Sequence, residues 1–438
     1  MSETALSAIA EINPGARIPK EITGSDEVSF IPMSDVSESG DWTTRQTRPL
    51  RSVTAGFTAF EESDVLVAKI TPCLENGKGA HARGLCNGIG FGSTEFHVLR
   101  ARQGVDPRFV FHITQSRRFR QAAERQMVGS AGQQRVQRQF FDEFLVRDFP
   151  QGEQRVIAQV LDTLDTTIRE TEALIDKLKA VKQGLLHDLL TRGIDVNGQL
   201  RPPQSEAPQL YKDSPLGWIP REWEAGKVTN YLDPEQGIKP GPFGSSIKKE
   251  SYAETGFKVY GQEQVISGDQ DFGDYFVPLR KYQELQDFSV KSGDVLISLV
   301  GTIGKVLVLK APLQAGLINP RLMRLRPDQR IADSEFVGFL VASDYFASQV
   351  FANAGGGTMP VINKRIISGI HAPVVPLTEQ IAILKVKAAI DRRIDSELLA
   401  LAKLREQKSG LMDDLLTGRV RVTPLLESVQ QAAAQTGA

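Results

Sequence analysis

The chain repeats itself, and that constrains its fold more than any other property. Shifted by 226 residues, the stretch 150–191 falls on 376–417 without a gap, and 16 of the 42 positions are identical. Identities include Pro150/Pro376, Glu153/Glu379, Gln154/Gln380, Asp165/Asp391 and Gly184/Gly410, together with Asp-Leu-Leu-Thr runs starting at Asp188 and Asp414. Slightly larger shifts carry the match backwards, from Phe109-Val110 to Phe336-Val337 and from Asp64-Val65-Leu66 to Asp294-Val295-Leu296. A 438-residue chain is long enough for two or more domains, so the repeat reads as a tandem duplication. Each half is a mixed globular region followed by a long segment of different character.

Those long segments read as helices. Ile157, Leu161, Leu164, Ile168, Thr171, Ile175, Leu178, Lys182, Leu185 and Leu189 alternate spacings of four and three, the seam of a coiled coil. Ile383, Ile390, Ile394, Leu401, Leu404, Leu411 and Leu415 occupy corresponding places in the second. A proline precedes each helix, Glu153 and Glu379 sit in the first turns where the helix dipole favours a carboxylate, and Gly193 and Gly418 mark the ends. Forty residues at 1.5 Å each give a rod of roughly 60 Å. With seven acidic and six basic residues over 153–192, such a rod suits spacing or docking better than gripping a polyanion. Gly184 and Gly410 each cost about 1 kcal/mol relative to alanine inside a helix, so both are expected where another backbone comes close, either the sister helix or a partner protein.

The globular halves alternate short β-rich runs with turns. Strands are expected at 28–31, 64–70 and 95–99, and again at 258–260, 294–300, 305–310 and 321–325, with helices near 108–125 and 334–351. The fold class is α+β with a mostly antiparallel sheet in each half. Boundaries follow as 1–150 for the first domain, 151–192 for the first helix and 193–217 for a proline-containing linker, then 218–375, 376–419 and a tail at 420–438.

Overall charge is −1, so any polyanion-binding surface must be local. One candidate runs from Arg108 to Arg138, with seven arginines against the single acid Glu124 and with glutamines interleaved. Arg and Gln side chains can read guanine and adenine edges, and surplus arginines can hold phosphates, although a solvated amphipathic helix has the same composition. In the second half Arg321, Arg324 and Arg326 form a basic run, and the glycines at 355–357 precede Asn363-Lys364-Arg365. Candidate phosphate or base contacts are Lys69, Lys78, Arg117, Arg118, Gln133, Gln134 and Arg135 in the first domain. In the second they are Lys239, Ser245, Thr302, Lys305, Arg321, Asn363 and Lys364.

Motifs for catalysis are lacking. The stretch from Gly301 to Val306 has neither the first glycine nor the Ser/Thr of a phosphate loop. Gly88-Ile89-Gly90-Phe91-Gly92 reads as a β-hairpin turn rather than a cofactor loop. The five histidines show no metal-ligand spacing, no serine or cysteine has a nucleophile's context, and two cysteines are too few for a disulfide framework. No catalytic residue, bound cofactor or metal is therefore expected, and neither a signal peptide nor a membrane span.

Together these features resemble the specificity subunit of Type I restriction-modification systems over essentially the whole chain. The resemblance rests on the duplicated Glu-Gln-helix-Gly-Leu-(Leu/Met)-x-Asp-Leu-Leu-Thr at 153–191 and 379–417 and on Pro-Leu-Gly-Trp-Ile-Pro-Arg-Glu-Trp at 215–223. Gly-Asp-Val-Leu-Ile-Ser at 293–298 with the following Gly-Thr-Ile-Gly-Lys-Val adds to it, and Ser93-Thr94-Glu95-Phe96 is similar to a variant found in other recognition domains. It implies two target-recognition domains separated by two long antiparallel coiled-coil helices in a pseudo-twofold arrangement, each domain reading half of a bipartite, asymmetric sequence in double-stranded DNA. It further implies a non-catalytic cytoplasmic subunit docking two modification (methyltransferase) subunits and, with them, restriction (translocase/endonuclease) subunits. S-adenosylmethionine, ATP and Mg would belong to those partners. Two rival readings are a stand-alone DNA methyltransferase with its cofactor near Gly88 to Gly92, and a purely structural coiled-coil scaffold.

Overall fold

A computed structural model describes residues 2–130, 132–299, 305–353 and 362–423, with the side chains of Ser245 and Lys249 not included. The chain divides into two compact units, Met1–Leu174 with Glu397–Ala438, and Ile175–Ser396.

The first unit carries two four-stranded sheets. One is antiparallel throughout, in the order Ala10–Ile12, Phe96–Ala101, Val65–Ala68 and Gly79–His81. The other runs Gln46–Pro49, Glu27–Ile31, Ile89–Gly92 and Thr58–Glu61, with a parallel pair in its middle. Ile89–Gly92 is thus a central strand and not the expected hairpin turn. The glycines explain the difference: a Cβ on Gly90 would collide with the Phe60 ring, and one on Gly92 with the Ile31 carbonyl. Glycine marks close approach here rather than a reversal of the chain.

In the second unit the same plan recurs. Ile238–Pro240, Leu322–Leu325, Val295–Ser298 and Val306–Val308 form an antiparallel sheet in the equivalent order. Phe276–Val277, Phe257–Tyr260 and Gly316–Ile318 form a second sheet, again with one parallel pair. The duplication therefore preserves topology as well as sequence.

Each expected domain helix is broken once. Pro107–Gln115 and Arg117–Arg125 meet at Ser116, whose extended backbone ends the first and whose Oγ accepts from Phe119 N at the start of the second. Ser334–Val341 and Asp344–Asn353 meet at Ser343, whose Oγ accepts from Phe346 N in the same way. A serine hydroxyl competes with the helical ladder and favours a cap, so the periodicity continues while the helix does not.

The long helices are Gln151–Thr191 and Leu377–Leu416, and none of the seam positions is exposed. Gly193 and Gly418 beyond their ends have φ of +65° and +71°, the left-handed conformation that closes a helix. In the first unit Lys408 pairs with Asp165, and Arg405 with Glu172 at 2.6 Å. As numbering rises along one helix it falls along the other, so the segments run antiparallel. In the second unit Lys182 pairs with Asp391 at 2.6 Å. Lys182 and Asp165 are the duplication counterparts of Lys408 and Asp391, so one contact has been made twice.

The duplicated Glu-Gln at the helix starts is explained by what it grips. Gln154 accepts from Asp106 N and donates to the Phe149 carbonyl; Gln380 accepts from Asp333 N and donates to the Val375 carbonyl. Asp106 and Asp333 are the N-caps of the domain helices, so each glutamine ties a long helix to its own globular region. Glu379 accepts from Arg201, Trp223 Nε1 and Ile194 N, while Glu153 pairs with Arg421. These carboxylates are buried clasps, a role beyond the dipole reading. At Gly184 and Gly410 the sister-helix expectation is not met: a Cβ on either would find nothing within 4 Å, because both face open space.

Candidate nucleic-acid interface

In the first unit the basic stretch divides by burial. Helix Arg117–Arg125 buries Phe119 and Ala123 and exposes Arg117 and Arg118, the latter with its guanidinium 5.4 Å from the centre of the Phe144 ring. Arg120 is half-buried. Beyond this helix, Met127–Val128 pairs with Arg135–Val136 in a short hairpin bearing Gln133 and Gln134 near its tip.

The hairpin is fastened to the sheet. Arg135 donates to both Glu95 oxygens at 2.9 and 3.0 Å, and hydrogen bonding to that guanidinium holds the Glu95 carboxyl below its usual range. Val136 N donates to the Lys69 carbonyl, Lys69 N to the Glu95 carbonyl and Thr71 N to the Gln134 carbonyl. Lys69, Gln133, Gln134 and Arg135 are thus brought into one patch by residues far apart in sequence. Lys78 stands apart, its ammonium donating to the Met33 carbonyl at 3.2 Å.

In the second unit Lys239 lies on an edge strand, paired with Asp287 at 3.2 Å and 4.8 Å from the Phe288 ring. Asn363 caps a helix by accepting from Ile366 N, and Lys364 is exposed beside it. Lys305 is exposed at the start of the Val306–Val308 hairpin arm. Ser245 stands in the short turn Gly244–Ser246, whereas Thr302 and the glycines at 355–357 lie outside the described residues.

Of the basic run at 321–326 only Arg321 is exposed. Arg324 is buried and donates to the Ser289 carbonyl, and Arg326 clamps Asp294 with bonds of 2.7 and 2.8 Å. The first unit repeats this clamp between Arg100 and Asp64, at 2.8 and 2.7 Å. These arginines hold strands together, a role invisible in the basic spacing alone.

Sequence reasoning missed an aromatic cleft. Beside Arg321 a cavity of about 430 Å³ is lined by Tyr252, Tyr275, Glu263 and Asn319, with the two tyrosine rings 5.4 Å apart. Exposed Tyr275 and nearby Phe243, 88% exposed, were visible as aromatic residues in a polar stretch. A cluster with metal-ligand geometry was also missed: His112, Asp162 and Asp165 converge. Asp162 already pairs with Arg108 and Asp165 with Lys408, so the arrangement is neutralised by protein cations. Burial, reinforced by Lys408 and Arg108, pushes the His112 imidazole down to about 3. The cations already paired with these carboxylates also disfavour a divalent ion.

The Type I restriction modification DNA specificity domain model matches residues 244–404. Globular regions built to one topology, long antiparallel helices and this match make the chain similar to the specificity subunits of Type I restriction-modification systems. It is 25% identical to the Escherichia coli Type I restriction enzyme EcoAI specificity subunit over 460 aligned positions, covering 86% of this chain and 75% of that one. The MjaVIII specificity subunit of Methanocaldococcus jannaschii is 25% identical over 341 positions, with 76% and 75% covered. In fold the chain is similar to one from a solved type I R-M system, with TM-score 0.60, 18% identity and 96% and 98% covered. The HsdS subunit from Thermoanaerobacter tengcongensis is also similar, with TM-score 0.51, 18% identity and 96% and 97% covered.

Proposed function

We propose that this chain is the non-catalytic subunit that chooses the DNA sequence for a Type I restriction-modification complex. Each globular region reads one part of a bipartite, asymmetric site in duplex DNA, and the long helices fix the separation of the parts. The observation that carries this reading is the duplicated clasp: Gln154 and Gln380 each bind the N-cap of their own recognition region to a long helix, and Lys408–Asp165 and Lys182–Asp391 repeat one inter-helix contact. A duplicated frame carrying unlike surfaces is what an asymmetric split site requires.

Two modification subunits dock on it and bring S-adenosylmethionine; restriction subunits bring ATP and Mg. The open faces at Gly184 and Gly410 are places where a partner can approach a helix closely. The complex works in the cytoplasm; no described helix is long and apolar enough to cross a membrane. Bases are read from the patch around Lys69, Gln133 and Gln134 with Arg117 and Arg118, and from the surface around Lys239, Arg321, Lys305 and Lys364.

The test is to map methylated adenines in cells expressing this chain with its modification subunit. A split motif with an unspecified gap supports the proposal, and a continuous palindrome refutes it. The rival methyltransferase reading predicts S-adenosylmethionine binding by the isolated chain. Its cofactor loop would have to be Gly88 to Gly92, of which Ile89–Gly92 forms a strand in the middle of a sheet.

A further inference from the structure

A second charged site lies in the first unit, away from the hairpin patch, in a cavity of about 350 Å³ between the recognition region and the first long helix. Arg45, Arg83, Arg108 and Arg169 converge on it with His81 and Thr166, and the carboxylates Asp41, Asp162 and Asp165 line it too. Three of these guanidinium groups are engaged. Arg169 pairs with Asp41 at 2.6 Å, Arg108 pairs with Asp162, and Arg45 donates to the Arg83 carbonyl while lying 3.9 Å from the centre of the Trp42 ring.

Arg83 has no side-chain hydrogen bond or ion pair among the described residues, and the buried Nε2 of His81 has no partner either. The imidazole is set by stacking on the Phe111 ring, with centroids 6.2 Å apart. Burial, then Arg83 and Arg108, pushes His81 down to about 4, and burial followed by Arg83 also lowers Arg108. With Asp41, Asp162 and Asp165 paired to Arg169, Arg108 and Lys408, the Arg83 guanidinium is the charge left over at this wall.

The counterpart cleft does not share this character. By the shifts of 226 and 227, Arg108, Phe111 and Asp162 correspond to Glu335, Gly338 and Ala388. The charge is a property of one half, not a demand of the duplicated frame.

We infer that this cavity is a binding site for a tetrahedral oxyanion, a phosphate group, held by the Arg83 guanidinium with Arg108 and the Thr166 hydroxyl alongside. Arg83 and Arg108 supply charge-assisted donors, and Thr166 places the ligand against the long helix. A bound phosphate would tie globular region and helix together at a point where the protein has left the Arg83 guanidinium without a partner. The phosphate can come from a soluble ligand or from the DNA backbone.

The experiment is calorimetric titration of the full chain with inorganic phosphate, against sodium chloride at equal ionic strength. Saturable binding at one site is expected, weakened about tenfold or more by Arg83→Gln, the loss of one charge-assisted hydrogen bond. Arg83 is exposed, so the variant should melt in phosphate-free buffer at the parent's temperature; Thr166→Val, on the opposite wall, gives a second weakened variant. No saturable heat, or equal affinity in both variants and parent, overturns the inference. A duplex DNA arm identifies the source. Competition between phosphate and DNA in the parent but not in Arg83→Gln assigns the site to the DNA backbone; independent binding assigns it to a soluble phosphate ligand. Failure here leaves the methylation pattern of the complex unaffected.

Discussion

Replacing Glu379 by alanine tests how the second globular region is fixed to its helix. Its carboxylate accepts from Arg201 at 2.5 and 3.2 Å, from Trp223 Nε1 at 2.9 Å and from Ile194 N at 2.8 Å. Glu379 and Arg201 are only 9% and 8% exposed, so water cannot replace the lost partner. Stranding a buried guanidinium in this way costs about 3–5 kcal/mol. At about 2–4 °C per kcal/mol for a unit of this size, the calorimetric melting temperature should fall by roughly 6–20 °C. Glu153→Ala is the internal comparison: its partner Arg421 is 43% exposed, and the expected loss is about 1 kcal/mol. The double variant Glu379→Met, Arg201→Met should recover most of the stability, because neither charge is left alone. Equal losses at Glu379 and Glu153, or a double variant as unstable as Glu379→Ala, would refute the reasoning.

Histidine burial predicts a pH response confined to the first unit. His112 lies near 3 in the folded protein and near 6.5 unfolded, so between those values the unfolded chain binds the extra proton. Its contribution is complete above 6.5 and is lost as pH falls, about 2 kcal/mol by pH 5. His112→Phe, the residue at the duplicated position Phe339, should reduce the slope of melting temperature against pH over that window, with buried His81 and His97 supplying the remainder; an unchanged slope would show that His112 is not a source. Gln154→Ala leaves Asp106 N and the Phe149 carbonyl without their partner and should cost about 1–3 kcal/mol, read by denaturant titration. Adding one heptad to both long helices lengthens each by about 10 Å, so the gap in the methylated motif should widen by about three base pairs. An unchanged gap would remove the helices' spacing role. Arg117→Ala or Arg118→Ala should weaken DNA binding by the assembled complex on all sequences and lower its salt slope by about one if each holds a phosphate. Relaxed specificity at one base would assign base reading instead.

The sequence by itself determined the duplication, the seams of both long helices and their glycine ends, because these depend on local periodicity and on the backbone freedom of single residues. A strand also lies at each of the seven expected runs, such as Val65–Ala68 and Val295–Ser298, where apolar runs are short and bounded. Other features depended on distance in space. Arg326 and Arg135 look like free basic residues until Asp294 and Glu95, each just ahead of a strand, arrive from more than thirty positions away. Gly90 looks like a turn until the Phe60 ring is laid against it. Glu379 looks like a helix-dipole carboxylate until Arg201 and Trp223 close over it. Charge and conformational freedom are written in the chain, but whether a charge is spent on a neighbour or left facing solvent is decided only when packing brings its partner within about 3 Å.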